Sequence, residues 1–369
     1  MRICGVVSSL GSGGAERVMT ELCRAWAARG DQVTLITLED TSRDFYPVPA
    51  NVRRVALGVS SVSRTATDAV MSNVRRVRAM RSALLAERPD IVVSFTNRTN
   101  ILVLLAMQGT SVPVIVSERI DPRLEGPGRT WAALRRVAYP RAHGLVVQTS
   151  GLRGWAEQFV DPARVHVIPN PMREMGAPVT PAGTREKHIV AMGRLVDQKG
   201  FDVLLRAFSM ARVGFNDWTL AVHGEGPDRE KLSNLVNELV LQDAVVLPGR
   251  TDAPDFVLRD ASIFVLSSRH EGFPNVLLEA SVAGCACIAT DCRSGPADII
   301  ARGKSGVLVP VEDIAALAHA LQQLMSDPDR RSALGSAARS AVARFSMEHV
   351  LAQWDHAFSS VVQQSRAAA

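Results

Sequence analysis

Ser262-Ile-Phe-Val-Leu-Ser-Ser-Arg-His-Glu271-Gly-Phe-Pro-Asn275-Val-Leu-Leu-Glu279-Ala-Ser-Val-Ala283 reads as a strand, a turn and a helix in immediate succession. The apolar run 262–268 suits a buried strand, and 276–283 suits a packed helix. Pro274 and Asn275 are start signals for that helix. The backbone N–H groups of Gly272, Phe273 and Asn275 then point out of a helix N-terminus, where negative charge is favoured. Glu271 falls in the loop, and Glu279 about one turn inside the helix, on the face shared with Asn275. Two carboxylates flanking an anion cradle suit an anionic, polyhydroxylated ligand. They suit equally a structural helix with two ordinary glutamates.

The same alternation fills the chain. Short apolar strands are expected at 2–8, 32–37, 52–57, 90–95, 114–118, 144–149 and 165–169, with helices at 16–29, in 66–87 and after Arg129. Strands restart at 188–194 and continue at 218–223, 244–248, 262–267, 286–290 and 306–309. Residues 170–187 hold three prolines and two glycines and read as a linker. Alternating strands and helices predict parallel sheets, hence two Rossmann-like domains facing each other across a cleft, 1–170 and 171–346. A closing helix over 347–364 is expected to pack back onto the first domain.

Composition narrows the class. At 369 residues with 47% hydrophobic and 21% charged residues, the chain reads as a folded two-domain protein and not a disordered one. Five cysteines without paired spacing predict neither a disulfide framework nor a zinc site, and buried free thiols fit a cytoplasmic location. No apolar run approaches the roughly 18 residues of a spanning helix. Residues 1–170 carry 22 Arg, no Lys and 14 acidic residues, a net +8, while the remainder carries −3. The basic half is a candidate for an anionic surface.

Three further loops follow strands. Gly11-Ser-Gly-Gly-Ala-Glu-Arg17 opens a helix; it is neither a Walker A loop nor Gly-x-Gly-x-x-Gly, and its glycines allow positive φ or close approach of a ligand. Gly193-Arg-Leu-Val-Asp-Gln-Lys-Gly200 offers Arg194 as a bidentate fork and Lys199 as a point charge for a diphosphate. His223-Gly224-Glu-Gly-Pro227 can shape a nucleotide pocket, and Arg250 after Gly249 can face a base or serve a turn.

Gly193-Arg-Leu-x-x-x-Lys-Gly200, His223-Gly-Glu-Gly226 and Glu271-Gly-Phe-Pro-Asn-x-x-x-Glu279, in this order, resemble glycosyltransferase family four. Gly13-Gly-Ala-Glu-Arg17 is similar to that family too. The resemblance covers nearly the whole chain. It implies the GT-B fold and retaining transfer from a nucleoside-diphosphate sugar, with UDP the commonest nucleotide and no metal or other cofactor. It also implies roles: Arg194, Lys199 and Glu271 catalytic, the first two on the diphosphate and the third on the sugar. Glu279 would hold the ribose. Gly13, Gly14, Gly193, Gly224, Arg250, Gly272, Phe273, Pro274, Asn275 and Val276 would line the donor site. Many members carry a histidine after the fourth strand. Here 94–100 offer Asn97, Arg98 and Asn100, and Ser117-Glu118-Arg119 follows the next strand. That resembles the branch extending undecaprenyl-diphosphate-linked glycans or exopolysaccharide repeat units, and these residues with Glu118 are taken as the acceptor side. No nucleophilic carboxylate for a double displacement is identified. The resemblance implies instead a front-face route in which the leaving diphosphate takes the acceptor proton.

Arg75, Arg76, Arg78 and Arg81 alternate with apolar residues at helical spacing, and Arg135 and Arg136 lie near Trp131 and Tyr139. Such helices either cover a sheet with a solvated face or lie on anionic lipid, and a lipid-linked acceptor favours peripheral contact at the inner face of the membrane. Two other classes compete: a nucleotide-sugar 2-epimerase of GT-B fold, and a non-catalytic nucleotide or nucleic-acid binder. Nucleic-acid motifs with interleaved aromatics are lacking, and a dehydrogenase lacks its fingerprint.

Overall fold

A computed structural model describes residues 1–42, 44–60, 65–123, 128–173, 175 and 180–367. The chain divides into two compact units, Met1–Pro171 with Met347–Ala369, and Met172–Ser346.

In unit 1 the strands are β1 (Arg2–Val7), β2 (Gln32–Thr37), β3 (Val52–Ala56), β4 (Ile91–Phe95), β5 (Val114–Ser117), β6 (Gly144–Val147) and β7 (Val165–Val167). They form one parallel sheet in the order β3-β2-β1-β4-β5-β6-β7. The helices are α1 (Gly14–Ala28), α2 (Ala66–Glu87), α3 (Asn97–Ala106), α4 (Arg129–Ala138) and the short α5 (Arg153–Ala156). Continuous apolar runs arise because both sheet faces are covered. Ile3, Ile91, Val93, Phe95 and Ile115 enter one core cluster, while Cys4, Val92, Val114 and Val116 alternate into the other.

Unit 2 repeats the plan with β8 (His188–Met192), β9 (Thr219–His223), β10 (Val245–Gly249), β11 (Ile263–Leu266), β12 (Ala286–Thr290) and β13 (Val307–Val309), in the order β10-β9-β8-β11-β12-β13. Its helices are α6 (Phe201–Ala211), α7 (Arg229–Glu238), α8 (Pro254–Asp260), α9 (Asn275–Val282), α10 (Pro296–Ile299), α11 (Ile314–Ser326) and α12 (Pro328–Ala341). Ile189, Ile263, Val265 and Ile288 face one cluster, and Val190, Phe264, Cys287 and Ala289 the other.

The closing helix α13 (Met347–Ala367) belongs to unit 1. Trp354 meets Trp26 of α1 edge-on at 5.9 Å and lies over Phe95 of β4 at 6.2 Å. Arg29 holds Asp355 at 2.7 Å at the rim.

Two expectations are corrected. The latter part of the supposed linker is packed into unit 2: Ala182 is buried, and Gly183 N–H donates to Ser332 Oγ at 3.1 Å. Buried Arg185 donates to the carbonyls of Thr180 (2.8 Å), Leu258 (3.2 Å) and Ala261 (2.6 Å). A guanidinium in a Pro- and Gly-rich run signals a loop locally, yet here it bonds carbonyls at the C-terminal end of α8, where backbone acceptors lack helical partners. At the Gly11–Gly14 loop, none of the three glycines takes a positive φ. The Glu16 carboxylate folds back over Gly13, so that a Cβ there would stand 2.1 Å from Glu16 Oε2 and displace that side chain.

Candidate active site

In unit 2 the strand order reverses between β8 and β11, and the loops leaving their C-terminal ends lie side by side at that switch point. The expected strand over 188–194 ends at Met192, releasing Arg194 into its loop. Several bonds lace the two loops together. Arg269 N–H donates to the Gln198 carbonyl at 2.8 Å, and Gln198 Nε2 returns to the His270 carbonyl at 2.9 Å. Ser267 Oγ donates to the Lys199 carbonyl at 2.8 Å. Gly200 takes φ +60°, and a Cβ there would meet the Ser267 carbonyl oxygen at 2.2 Å. Arg269 adds a clamp by pairing with Asp202 through two bonds of 3.0 and 2.9 Å, and with Glu312.

Within this frame Lys199 Nζ donates to Glu271 Oε1 at 2.6 Å, and Ser268 Oγ donates to the same oxygen at 2.7 Å. Glu271 is buried, so the ammonium and hydroxyl supply what water would. Arg194 is exposed and has no side-chain ion pair or hydrogen bond among the described residues. A cation left unpaired beside a paired one is free to meet an incoming anion.

The turn 272–275 completes the cradle. Helix α9 starts at Asn275, with Pro274 at the N-cap position, where its ring offers no capping oxygen. Phe273 turns its ring inward, edge-on to Phe345 at 5.6 Å, so only its backbone can face a ligand. Ser294 Oγ holds the Glu271 carbonyl at 2.9 Å. Glu279 is buried on α9, and Val276 is half-buried. After β9, Gly224 (φ +147°) lies so close to Gly193 that a Cβ would stand 1.8 Å from its carbonyl oxygen. Gly224 N–H donates to the Gly249 carbonyl at 2.9 Å, bringing exposed Arg250 to the same edge. Unit 2 thus gathers Gly193, Arg194, Lys199, Gly224, Arg250, Glu271 and the α9 N-terminus at one sheet edge. Gly13 and Gly14 lie in unit 1, where they begin α1 after β1.

The unit 1 sheet reverses between β1 and β4, and the acceptor-side residues lie beside that point. Thr96 takes φ +73° and turns the chain from β4 into α3. Arg98 is exposed and lies over the Trp131 ring at 5.6 Å. Asn97, Asn100 and Glu118 are buried. Asn97 Nδ2 donates to Glu118 Oε1 at 3.1 Å, and the Tyr139 hydroxyl donates to the same oxygen. Asn100 Nδ2 donates to the Tyr139 hydroxyl oxygen (3.1 Å) and the Ser117 carbonyl (3.0 Å), and Ser94 Oγ donates to Asn100 Oδ1 at 2.8 Å. Burial pushes the Glu118 carboxyl above its usual range, against the pull of these donors. Glu118 is therefore an interior carboxylate that fixes Asn97, and in this arrangement it offers no surface to a ligand. Arg119, next in the chain, is also buried, stacks on Phe95 at 4.1 Å and donates to Asn170. Burial pushes its guanidinium down to about 9.

Among the described residues no group of three or more His, Cys, Asp or Glu could hold a metal ion, and no helix is long and apolar enough to cross a membrane.

Two family patterns divide the chain between them. Residues 13–171 match the family described as "Glycosyl transferase 4-like domain", and residues 177–341 match "Glycosyl transferases group 1". The chain is built of two glycosyltransferase domains. The glycosyltransferase is 27% identical over 356 residues to a Campylobacter jejuni protein, covering 96% of this chain and 97% of the other. That protein is named GalNAc-alpha-(1->4)-GalNAc-alpha-(1->3)-diNAcBac-PP-undecaprenol alpha-1,4-N-acetyl-D-galactosaminyltransferase. It is 32% identical over 302 residues to an exopolysaccharide phosphotransferase of Streptomyces coelicolor, covering 81% of this chain but only 31% of that longer protein. Among solved structures it superposes on sucrose-phosphate synthase from Thermosynechococcus elongatus with a TM-score of 0.83 at 20% identity, over all of both chains. On Staphylococcus aureus TarM, crystallised with UDP, the TM-score is 0.79 at 14% identity, over 97% of this chain and 99% of that one. The glycosyltransferase has the GT-B fold, with two parallel-sheet Rossmann-like domains.

Proposed function

We propose that the protein is a retaining, metal-independent hexosyltransferase of bacterial cell-surface glycan synthesis. It takes a hexose or N-acetylhexosamine from a nucleoside-diphosphate sugar, UDP-linked, and adds it to a lipid-linked saccharide at the inner face of the cell membrane. The observation that carries this reading is the Lys199–Glu271 pair at 2.6 Å, set beside unpaired Arg194 and the N-terminus of α9. A diphosphate needs that concentration of positive charge, and a sugar hydroxyl needs an oriented carboxylate. The neighbours crystallised with UDP, and the relatives named for undecaprenol-linked acceptors, support the nucleotide and the acceptor class.

In the step, the bond between the anomeric carbon and the diphosphate oxygen breaks. A bond from that carbon to the acceptor oxygen forms on the same face, and the acceptor proton passes to the departing diphosphate. Arg194, Lys199 and the α9 dipole stabilise the developing charge. Glu271, anchored by Lys199 and Ser268, orients the sugar, and Glu279 takes the ribose hydroxyls. No cofactor is assigned a part.

The test is a panel of nucleotide sugars scored for saturable protection against thermal unfolding, followed by turnover with a lipid-linked saccharide and NMR of the new anomeric centre. Protection by one UDP-sugar and a retained configuration are expected. An inverted product would overturn the mechanism, and an epimerised sugar formed without acceptor would make the protein an epimerase.

A further inference from the structure

Helices α2, α3 and α4 of unit 1 enclose an open trough of about 870 Å³ whose walls include Val70, Val74, Val77, Leu105, Trp131 and Leu134. Its α2 lip is bare: Val70 and Met71 are 63% and 65% exposed, and Val137 on α4 is 58% exposed. Apolar side chains left in water over such an area mark a contact surface. Exposed Arg75, Arg78, Arg98, Arg129 and Arg136 stand on the same three helices, and among the described residues no carboxylate pairs with any of them. The only acids on these helices are Asp68 and Glu87, and Glu87 is taken by Arg53 at 3.1 Å and Thr34 at 3.0 Å. An apolar slot with Arg78 and Arg129 in its wall, on helices that carry further unpaired guanidinium groups, fits an anionic amphiphile, with its tail in the slot and its phosphate at the rim.

We propose that this trough seats an acyl chain of an anionic phospholipid and docks unit 1 on a bilayer. Arg98, at the trough and next to Asn97, would set the lipid surface against the C-terminal edge of β4. The purpose rests on the lipid-linked acceptor reading; the geometry does not.

Trp131 makes the test direct. Of the five tryptophans, Trp26, Trp218 and Trp354 are fully buried and Trp155 nearly so, whereas Trp131 is half-buried in the trough wall. The full chain is mixed with vesicles of phosphatidylglycerol and phosphatidylcholine carrying brominated acyl chains, or with phosphatidylcholine alone. Flotation with the anionic vesicles and bromine quenching of fluorescence are expected, the quenching being lost in Trp131→Phe and in Leu134→Glu. Each of Arg75→Gln, Arg78→Gln and Arg136→Gln should lower partitioning about 5-fold, from ~1 kcal/mol per cation at an anionic surface. Flotation without quenching, equal binding to neutral vesicles, or no flotation with self-association instead would each overturn the proposal. Transfer to a short water-soluble saccharide separates the two readings. It should be unchanged in Leu134→Glu, and its absence from the wild type while docking persists would count against the proposed function alone.

Discussion

Lys199 and Glu271 are 72 positions apart and sit on loops from two different strands, yet their side chains meet at 2.6 Å across the switch point of the unit 2 sheet. The pair gives one ion two tasks. Lys199 neutralises a buried carboxylate in the resting protein and, on the proposed reading, a diphosphate during turnover.

That double duty makes activity and stability separable. Lys199→Ala should cut kcat/KM by ~10²–10³-fold, the cost of losing a preorganised charge on a leaving group. It should also lower Tm, because Glu271 is left buried with Ser268 as its remaining donor. Lys199→Ala combined with Glu271→Gln should recover Tm without recovering transfer. Recovery of both would assign the lysine to structure.

Arg194 gives the contrasting case. Being exposed and unpaired, Arg194→Ala should change stability by no more than ~0.5 kcal/mol. It should weaken donor binding and turnover by ~10-fold or more, as expected where a charge-assisted hydrogen bond to phosphate is lost. Urea unfolding and titration with UDP measure the two effects; unaltered UDP affinity and turnover would remove Arg194 from the site.

EDTA should leave transfer unchanged, since two cations and a helix terminus stand where a divalent ion would otherwise bridge the phosphates. Loss of activity with recovery on adding Mn²⁺ would show the metal-independent mechanism to be wrong.

Glu118 predicts a pH effect on stability. Its folded carboxyl is raised by burial, so as pH climbs through the ordinary carboxylate value the unfolded chain ionises first. Its contribution is therefore fully present below that value and is lost as pH rises towards the elevated folded one. Urea denaturation of wild type and Glu118→Gln across this range should show the difference in unfolding free energy shifting against the wild type. A flat difference would mean Glu118 titrates as an exposed carboxyl does.

Trp354→Ala should destabilise unit 1 by ~3–5 kcal/mol, the usual cost of deleting a buried indole, because Trp26, Phe95 and Phe358 lose their common partner. Calorimetry with and without UDP reads it as a shift of the transition that UDP does not protect.

Much of this was legible in the chain because it is periodic or local. Ala286–Thr290 and Gln32–Thr37 fall where apolar runs place them, since a strand covered on both faces must be apolar throughout. The apolar runs extend one or two residues past the strands at Glu118 and Arg194, polar residues that continue the run but leave the ladder. Interactions that need a distant partner were not legible. Tyr139 bears on Glu118 from 21 positions away, and Ser332 on Gly183 from 149. Nothing at those positions marks the partner. Arg185 lies inside the Pro- and Gly-rich run that reads as a linker, and only the carbonyls around it show why it is buried.

The contact of Gly200 with the Ser267 carbonyl limits how this scaffold can be re-engineered. The loops after β8 and β11 touch backbone to backbone, so neither can be exchanged alone without forcing Lys199 away from Glu271. A chimaera meant to accept a different donor must transplant both segments as one inherited module, with Arg269 and its acidic partners included.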